Sequence, residues 1–383
     1  MSRLVTPWVL PDRTIERAEE ADREIRMSDF LLMAALPFRA VEVAGYPANE
    51  FAMAALVGLC LFRRARGGAM LPGTVVLLMG ALLLFMVGSG IANGVDWSRR
   101  VGHLAILAAL VWALGTGRIS TRSAAAGLGA GLVTVIALAL VGVGGDYYPG
   151  RLTGYLSDPN AGAFFISVLG LVAIFFADPR WKVRLVIALP LLAGLVLCYS
   201  RTGLFAGVLA VLWLLVGRRL GLFGGALVAG ALIWAIDHIP DGFLTYGPFA
   251  NRSGSDRLRE RIIAQEYVQL SDMQWYGGGP GTATVNIQDV PFFFHNSYLA
   301  VRQEGGWVAL VLVLALIVYA FARLSHQSRS GDLVAAGAQA ALVALAAMAT
   351  TLGEVLLDTP MAIAVGMALA RSRWPAAEET ADA

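Results

Sequence analysis

The sequence predicts an all-α polytopic integral membrane protein with about twelve transmembrane helices and one large loop that contains short helices. Three observations predict it. Hydrophobic residues make up 57% of the 383-residue chain and charged residues only 15%, and the mean hydropathy is +0.67, too apolar for a water-soluble globular protein. Apolar stretches of spanning length recur along the chain, separated by turn signals and short basic loops. A single long polar interval, Asn251 to Gly305, interrupts that pattern. The net charge of +2 is spread over short loops, which excludes a nucleic-acid partner.

Taken in order, residues 1–28 mix Arg3, Arg13, Arg17, Arg23 and Arg26 with Glu16, Glu19, Glu20, Asp22 and Glu24 and hold no apolar core of signal-peptide length, so they read as a solvated cytoplasmic segment. Residues 29–237 read as spans one to nine. The first, near 29–45, is interrupted by Arg39 and Glu42, and the second, near 48–62, stops at Arg63, Arg64 and Arg66. Spans near 71–90 and 99–116 follow, then one near 123–143 in which Gly127 and Gly131, four apart, permit close helix packing. The sixth (160–177) and seventh (183–199) flank DPRWKVR, and SRTG turns directly into the eighth, near 202. The ninth is placed near 220–237. Residues 238–296 form the large loop, 297–370 carry spans ten to twelve, near 297–322, 333–351 and 360–370, and 371–383 form a second cytoplasmic tail. Cys60 and Cys198 fall near opposite membrane faces, which argues against a disulfide.

Arginine counts in alternate loops set the orientation. Arg63, Arg64, Arg66, Arg118, Arg122, Arg180, Lys182, Arg184, Arg218, Arg219, Arg323, Arg329, Arg371 and Arg373 mark the cytoplasmic side. Both termini then lie inside, and the 238–296 loop is periplasmic. Arg99, Arg100, Arg151, Arg201, Arg252, Arg257, Arg259, Arg261 and Arg302 remain outside, against the topology bias. An anionic ligand is the simplest reason for them.

Arg201 sits between two apolar spans with almost no loop around it, where its guanidinium offers paired donors to phosphate oxygens and the next helix N-terminus adds its dipole. Snorkelling or pairing with an acid is the structural alternative. Arg257, Arg259 and Arg261 fall on a short helix over 257–269 with Leu258 and Ile262 on its apolar side. Arg257 is the preferred ligand contact of the three, and Glu260 and Glu266 fit a solvated, salt-bridged face. YGGGPG at 276–281 is a turn whose glycines permit positive φ and which can bring backbone N–H groups near a ligand. His295 stands where polar loop meets membrane helix, suited to accept a proton near neutral pH. Asn296 beside it can cap the helix that follows. His103, His238 and His326 are poorer candidates.

SRTG at 200–203, SDPN at 157–160 (with Asp158 and Asn160), an arginine-bearing segment before GxGPG at 277–281, and HNSYL followed by Glu304 and Gly305 together resemble the bacterial O-antigen ligase and O-antigen or exopolysaccharide polymerase family. The motifs cover roughly 150–320. The resemblance implies a multi-span inner-membrane glycosyltransferase that moves a glycan from an undecaprenyl diphosphate carrier to a hydroxyl acceptor, either a second glycan or lipid A core. It implies no cofactor, nucleotide sugar or required metal, and it makes membrane lipids and other polysaccharide-assembly proteins the remaining partners. Arg201 matches the family's diphosphate-binding arginine, Arg257 a second such arginine and His295 the family histidine, with Arg261 beside them as a further contact. Family members often carry an aromatic residue four positions after the loop arginine, where this chain has Arg261. Polymerase and ligase are not separated by these residues. A lipid-linked glycan flippase would place its cations along a cavity through the membrane interior, a monophosphate-donor sugar transferase would carry acids in the first outer loop, and a structural assembly subunit would need neither Arg201 nor His295.

Overall fold

The computed structural model describes residues 25–43, 45–66, 69–145, 148–219, 221, 223, 226, 230 and 253–373. The ninth span, the first part of the large loop with Arg252 and His238, and most of both terminal segments lie outside the described residues. Among those described are thirteen α-helices: α1 Met27–Ala35, α2 Ala48–Leu61, α3 Gly73–Asn93, α4 Ser98–Gly115, α5 Thr121–Leu140, α6 Pro159–Phe176, α7 Trp181–Leu197, α8 Arg201–Leu212, α9 Ser253–Ser271, α10 Ser297–Arg323, α11 Ser325–Arg329, α12 Leu333–Met348 and α13 Thr359–Arg371. Two small antiparallel hairpins, β1 Glu42–Val43 with β2 Tyr46–Pro47 and β3 Thr284–Ile287 with β4 Val290–Phe293, are the strands. Helices α3, α5, α6 and α10 are long and apolar enough to cross a membrane, and α2, α8, α12 and α13 are shorter apolar helices.

Sequence places the ends. Ser120, Asp158, Ser200, Asn296, Asp332 and Asp358 each cap the helix that follows by accepting a backbone N–H, and Pro159 and Pro360 sit in first turns where no N–H is needed. Helix α6 is the centre of the bundle. It packs against α5, α7, α8, α12 and α13, with Phe164 and Phe165 fully enclosed. The bundle's outer surface carries large apolar side chains such as Leu61, Phe62, Leu77, Leu84, Val186 and Leu189, as expected where lipid replaces water.

Gly127 and Gly131 are packing positions. A Cβ on either would fall 2.2 Å from the carbonyl oxygen of Phe30 or Ala34 on α1, so α1 and α5 meet backbone to backbone. Helix α1 is only nine residues long and stops before Pro37 and Arg39, so the first apolar stretch is a short packed helix followed by a hairpin. Cys60 and Cys198 are both free and buried.

At one end of the bundle the cations are tied down. Arg63 donates to Asp29 at 2.5 Å and to Ser28, Arg122 and Arg180 share Asp178, and Arg371 pairs with Asp332. His295, Arg201 and Asp158 stand at the other end, where α6, α8 and α10 begin.

Helix α10 is kinked at Gly305 and Gly306, the latter at φ 64° and ψ −164°. The glycine-rich turn fills the kink: Gly278 and Gly279 donate their N–H groups to the carbonyls of Gln303 and Glu304, and Ser89 on α3 donates to Tyr276 and Glu304 carbonyls. Gly277, Gly279 and Gly281 all have positive φ, as the sequence predicts. The N–H groups of Gly278 and Gly279 serve α10, so those two glycines buttress the helix and offer no amide cradle for a ligand. Gly306→Ala should be poorly tolerated, because its Cβ would lie 1.8 Å from the Trp275 carbonyl oxygen and the backbone is left-handed, a strain of about 1–3 kcal/mol before any clash. Thermal unfolding in detergent micelles should show a clear fall in midpoint; an unchanged midpoint would mean that the turn does not hold the kink.

Candidate functional site at the helix N-termini

Three capped helix N-termini meet at the His295 end. Asp158 Oδ1 accepts from the N–H groups of Asn160 and Ala161 at 2.8 and 3.0 Å, Ser200 Oγ accepts from Gly203, and Asn296 Oδ1 accepts from Tyr298 and Leu299 at 2.9 and 3.2 Å. Asn296 is therefore a structural cap. The caps are cross-linked: Ser200 Oγ donates to Asn160 Oδ1 at 3.0 Å, Thr202 Oγ1 and Thr351 Oγ1 are 2.6 Å apart, and the Ser297 N–H donates to the Ala349 carbonyl two residues before Thr351. These bonds bring the SDPN, SRTG and HNSYL segments to one place. Ser157 and Tyr199, one at the entrance to each of the first two segments, are non-glycine residues at positive φ, a strain that tends to collect at working sites.

Arg201 is half-buried in the first turn of α8, directly after the Ser200 cap. Beside it, Arg151 is held by the chain that precedes α8: its Nε donates to the Cys198 carbonyl at 2.9 Å, and one terminal nitrogen lies 3.5 Å from both Asn160 Oδ1 and the Tyr199 carbonyl. Tyr148 sits under the Arg151 guanidinium, 6.0 Å from ring centre to Cζ, and burial and the nearby Asp158 carboxylate raise its pKa.

Helix α9 supplies the second wall. Arg259, Ile262, Glu266 and Leu270 recur at spacings of three and four and so form one stripe. Ile262 and Leu270 are buried with Val285, Phe294 and Ala300, and Glu266 is fully enclosed. Glu266 Oε1 accepts the backbone N–H of His295 at 2.5 Å, so it is a buried anchor and not part of the solvated face that the sequence suggests. Burial raises the pKa of Glu266, and the His295 N–H works against that rise.

The same stripe turns Arg259 inward. Its guanidinium is near enough to His295 and to Arg151 to oppose protonation of both, and its Nε is buried with no hydrogen-bond partner among the described residues. Arg257 and Arg261 are exposed and lie off that stripe. The arginine that the structure brings to the histidine is thus Arg259, which sequence reasoning ranked below Arg257. Its three-residue spacing from Ile262 and seven-residue spacing from Glu266 carried the signal.

His295 is half-buried. Burial and the Arg259 guanidinium push its pKa below the ordinary 6.5, with the Asp158 carboxylate working the other way. A neutral imidazole is what a proton acceptor at neutral pH requires. The site therefore gathers Arg151, Arg201, Arg259, a neutral histidine and three positive helix ends around Asp158, an arrangement that suits an anion with more than one charge. No family model matches the chain, and no curated protein matches it.

Side-chain NMR of the four histidines in micelles, with His295 assigned by substitution, should place its midpoint below 6.5. The neutral form is favoured by the fold, so the stability it contributes is full above the ordinary value and is lost as pH falls through the depressed one. Arg259→Gln should move that midpoint upward. A midpoint indifferent to Arg259 would separate the two side chains.

Proposed function

We propose that the protein is a glycosyltransferase of the outer face of the bacterial inner membrane, moving a glycan from an undecaprenyl diphosphate carrier to a hydroxyl acceptor. The observation that carries this reading is the convergence of Arg151, Arg201 and Arg259 with His295 at the start of three helices. A departing lipid diphosphate develops negative charge, and fixed guanidiniums and helix N-termini aimed at it lower the barrier. His295 takes the proton of the acceptor hydroxyl. The acceptor oxygen bonds to the anomeric carbon while that carbon's bond to the diphosphate oxygen breaks, and the electron pair leaves with the diphosphate. Asp158 orders this end by capping α6, and Asn160 links Ser200 to Arg151.

In this reading the product is a growing exopolysaccharide or O-antigen, since a polymerase uses one lipid-linked repeat as donor and another as acceptor. Arg151, Arg201 and Arg259 stand at one end of the bundle and do not line a path through it, which favours transfer over flipping.

Membranes containing the protein, supplied with lipid-linked repeat units alone, should yield a ladder of glycan sizes on a gel. His295→Ala should reduce the rate by about 10²–10⁴-fold, the usual worth of a general base. Product that forms only after lipid A core is added would make the protein a ligase. Equal behaviour of wild type and variant, with no product from either, would remove the transferase reading.

A further inference from the structure

Beside this site lies a cavity of about 600 Å³, within the range of sites that enclose small molecules. It shares two walls with the histidine site. Phe293 and Phe294, which lead into His295, form one, and Ser157, which precedes Asp158, belongs to the other. Its charge balance is opposite. Five carboxylates line it against three guanidiniums and His103.

Several of those charges are already paired. Arg100 donates to Glu304 at 3.0 Å and to Glu354 at 3.4 Å, and Arg39 lies 3.9 Å from Asp358. Glu304 is only 3% exposed, so this wall holds a largely desolvated ion pair, which an apolar pair of the same size would replace without loss of stability. What the pairs provide is a rigid set of N–H donors and carboxylate acceptors side by side.

We propose that the cavity binds an uncharged, hydroxyl-rich oligosaccharide, the acceptor glycan of the proposed transfer; its place in the reaction rests on that reading, its ligand chemistry does not. An anion is disfavoured by the excess of carboxylates. A sugar hydroxyl, by contrast, is donor and acceptor at once, so each one can bridge a carboxylate and a guanidinium. Phe293 is well exposed and offers an apolar face for the C–H side of a pyranose ring. The shared walls set the bound sugar's end next to His295, with the anionic leaving group on the arginine side and the neutral sugar end of the acceptor on the other. The two charge balances thus sort the leaving diphosphate from the acceptor's glycan.

The test is retention of the labelled full-length protein, in detergent micelles, on an array printed with neutral oligosaccharides of varied composition and with oligogalacturonates of matched length. Neutral sugars should be retained at least about tenfold better than the anionic ones, and Glu354→Gln and Glu50→Gln should each weaken that retention by about tenfold, the worth of one hydrogen bond to a charged group. Circular dichroism checks that both variants keep the helical fold. Preference for oligogalacturonates, no retention of any neutral sugar, or retention unmoved by both variants would overturn the assignment. A wild-type glycan ladder without sugar retention would sink this inference alone; retention without any ladder would sink the transferase reading and leave the cavity a sugar site.

Discussion

The carboxylate of Glu266 is the tie on which the site depends. It is fully enclosed and accepts the N–H of His295, the residue before the cap of α10. Besides that bond, α9 rests on the rest of the chain through an apolar cluster around Ile262 and Phe294 and a hydrogen bond from Gln269 to the Thr282 carbonyl. With the His295 bond, the stripe of α9 that carries Ile262 and Glu266 is turned inward, and Arg259 on the same stripe comes near enough to His295 to oppose its protonation. A buried carboxylate without a partner is expensive, and the bond from His295 offsets part of that cost, while the second oxygen, Oε2, stays buried with no hydrogen-bond partner among the described residues.

The consequence is a concentration of like charge. Arg259 opposes the charge of Arg151, Arg201 stands in the adjoining first turn, and three helix dipoles point their positive ends the same way. At the opposite end of the bundle, Arg63, Arg122, Arg180 and Arg371 each meet an aspartate. At the His295 end Arg39 and Arg100 are likewise paired, with Asp358 and with Glu304 and Glu354, whereas Arg151 and Arg259 stand near each other and His295, with Asp158 as the nearby carboxylate. Mutual repulsion of that kind is relieved when an anion binds, which gives the arrangement a direction of use. The adjacent cavity has the opposite balance, with five carboxylates against three guanidiniums and His103.

Much of this was legible in the sequence, for physical reasons. Hydropathy marked a helical, apolar chain, of which four described helices are long and apolar enough to cross a membrane where the sequence suggests about twelve spans; the caps placed helix starts, α6 at Pro159 and α10 at Ser297 following from Asp158 and Asn296, and the Gly127–Gly131 spacing marked a close packing position. The role of His295 as a boundary residue was also visible. What stayed hidden depended on long-range contact. Glu266 looked solvated because its neighbours on either side are polar, and only the arrival of the His295 N–H turns it into an anchor. Arg151 lay in a loop with no periodicity to orient it, and its bonds to the Cys198 and Tyr199 carbonyls need α7 to return beside it. The glycine turn at 276–281 was read correctly as a turn whose glycines take positive φ, but its partner is the α10 kink, reached through bonds from Gly278 to Gln303 and from Gly279 to Glu304 that no local motif reveals. Exposed Arg257 and Arg261 show the same limit: three arginines in five residues look alike until the helix has a buried side.

The central claim is that Arg259, not its neighbours, faces the anion. The most direct measurement is native mass spectrometry or fluorescence titration of undecaprenyl diphosphate binding to the protein in nanodiscs, comparing Arg259→Gln with Arg261→Gln. The account predicts that Arg259→Gln weakens binding by about tenfold or more, as loss of a charge-assisted contact should, while Arg261→Gln leaves it within about twofold. Equal losses, or a larger loss at Arg261, would contradict the geometry on which the account is built.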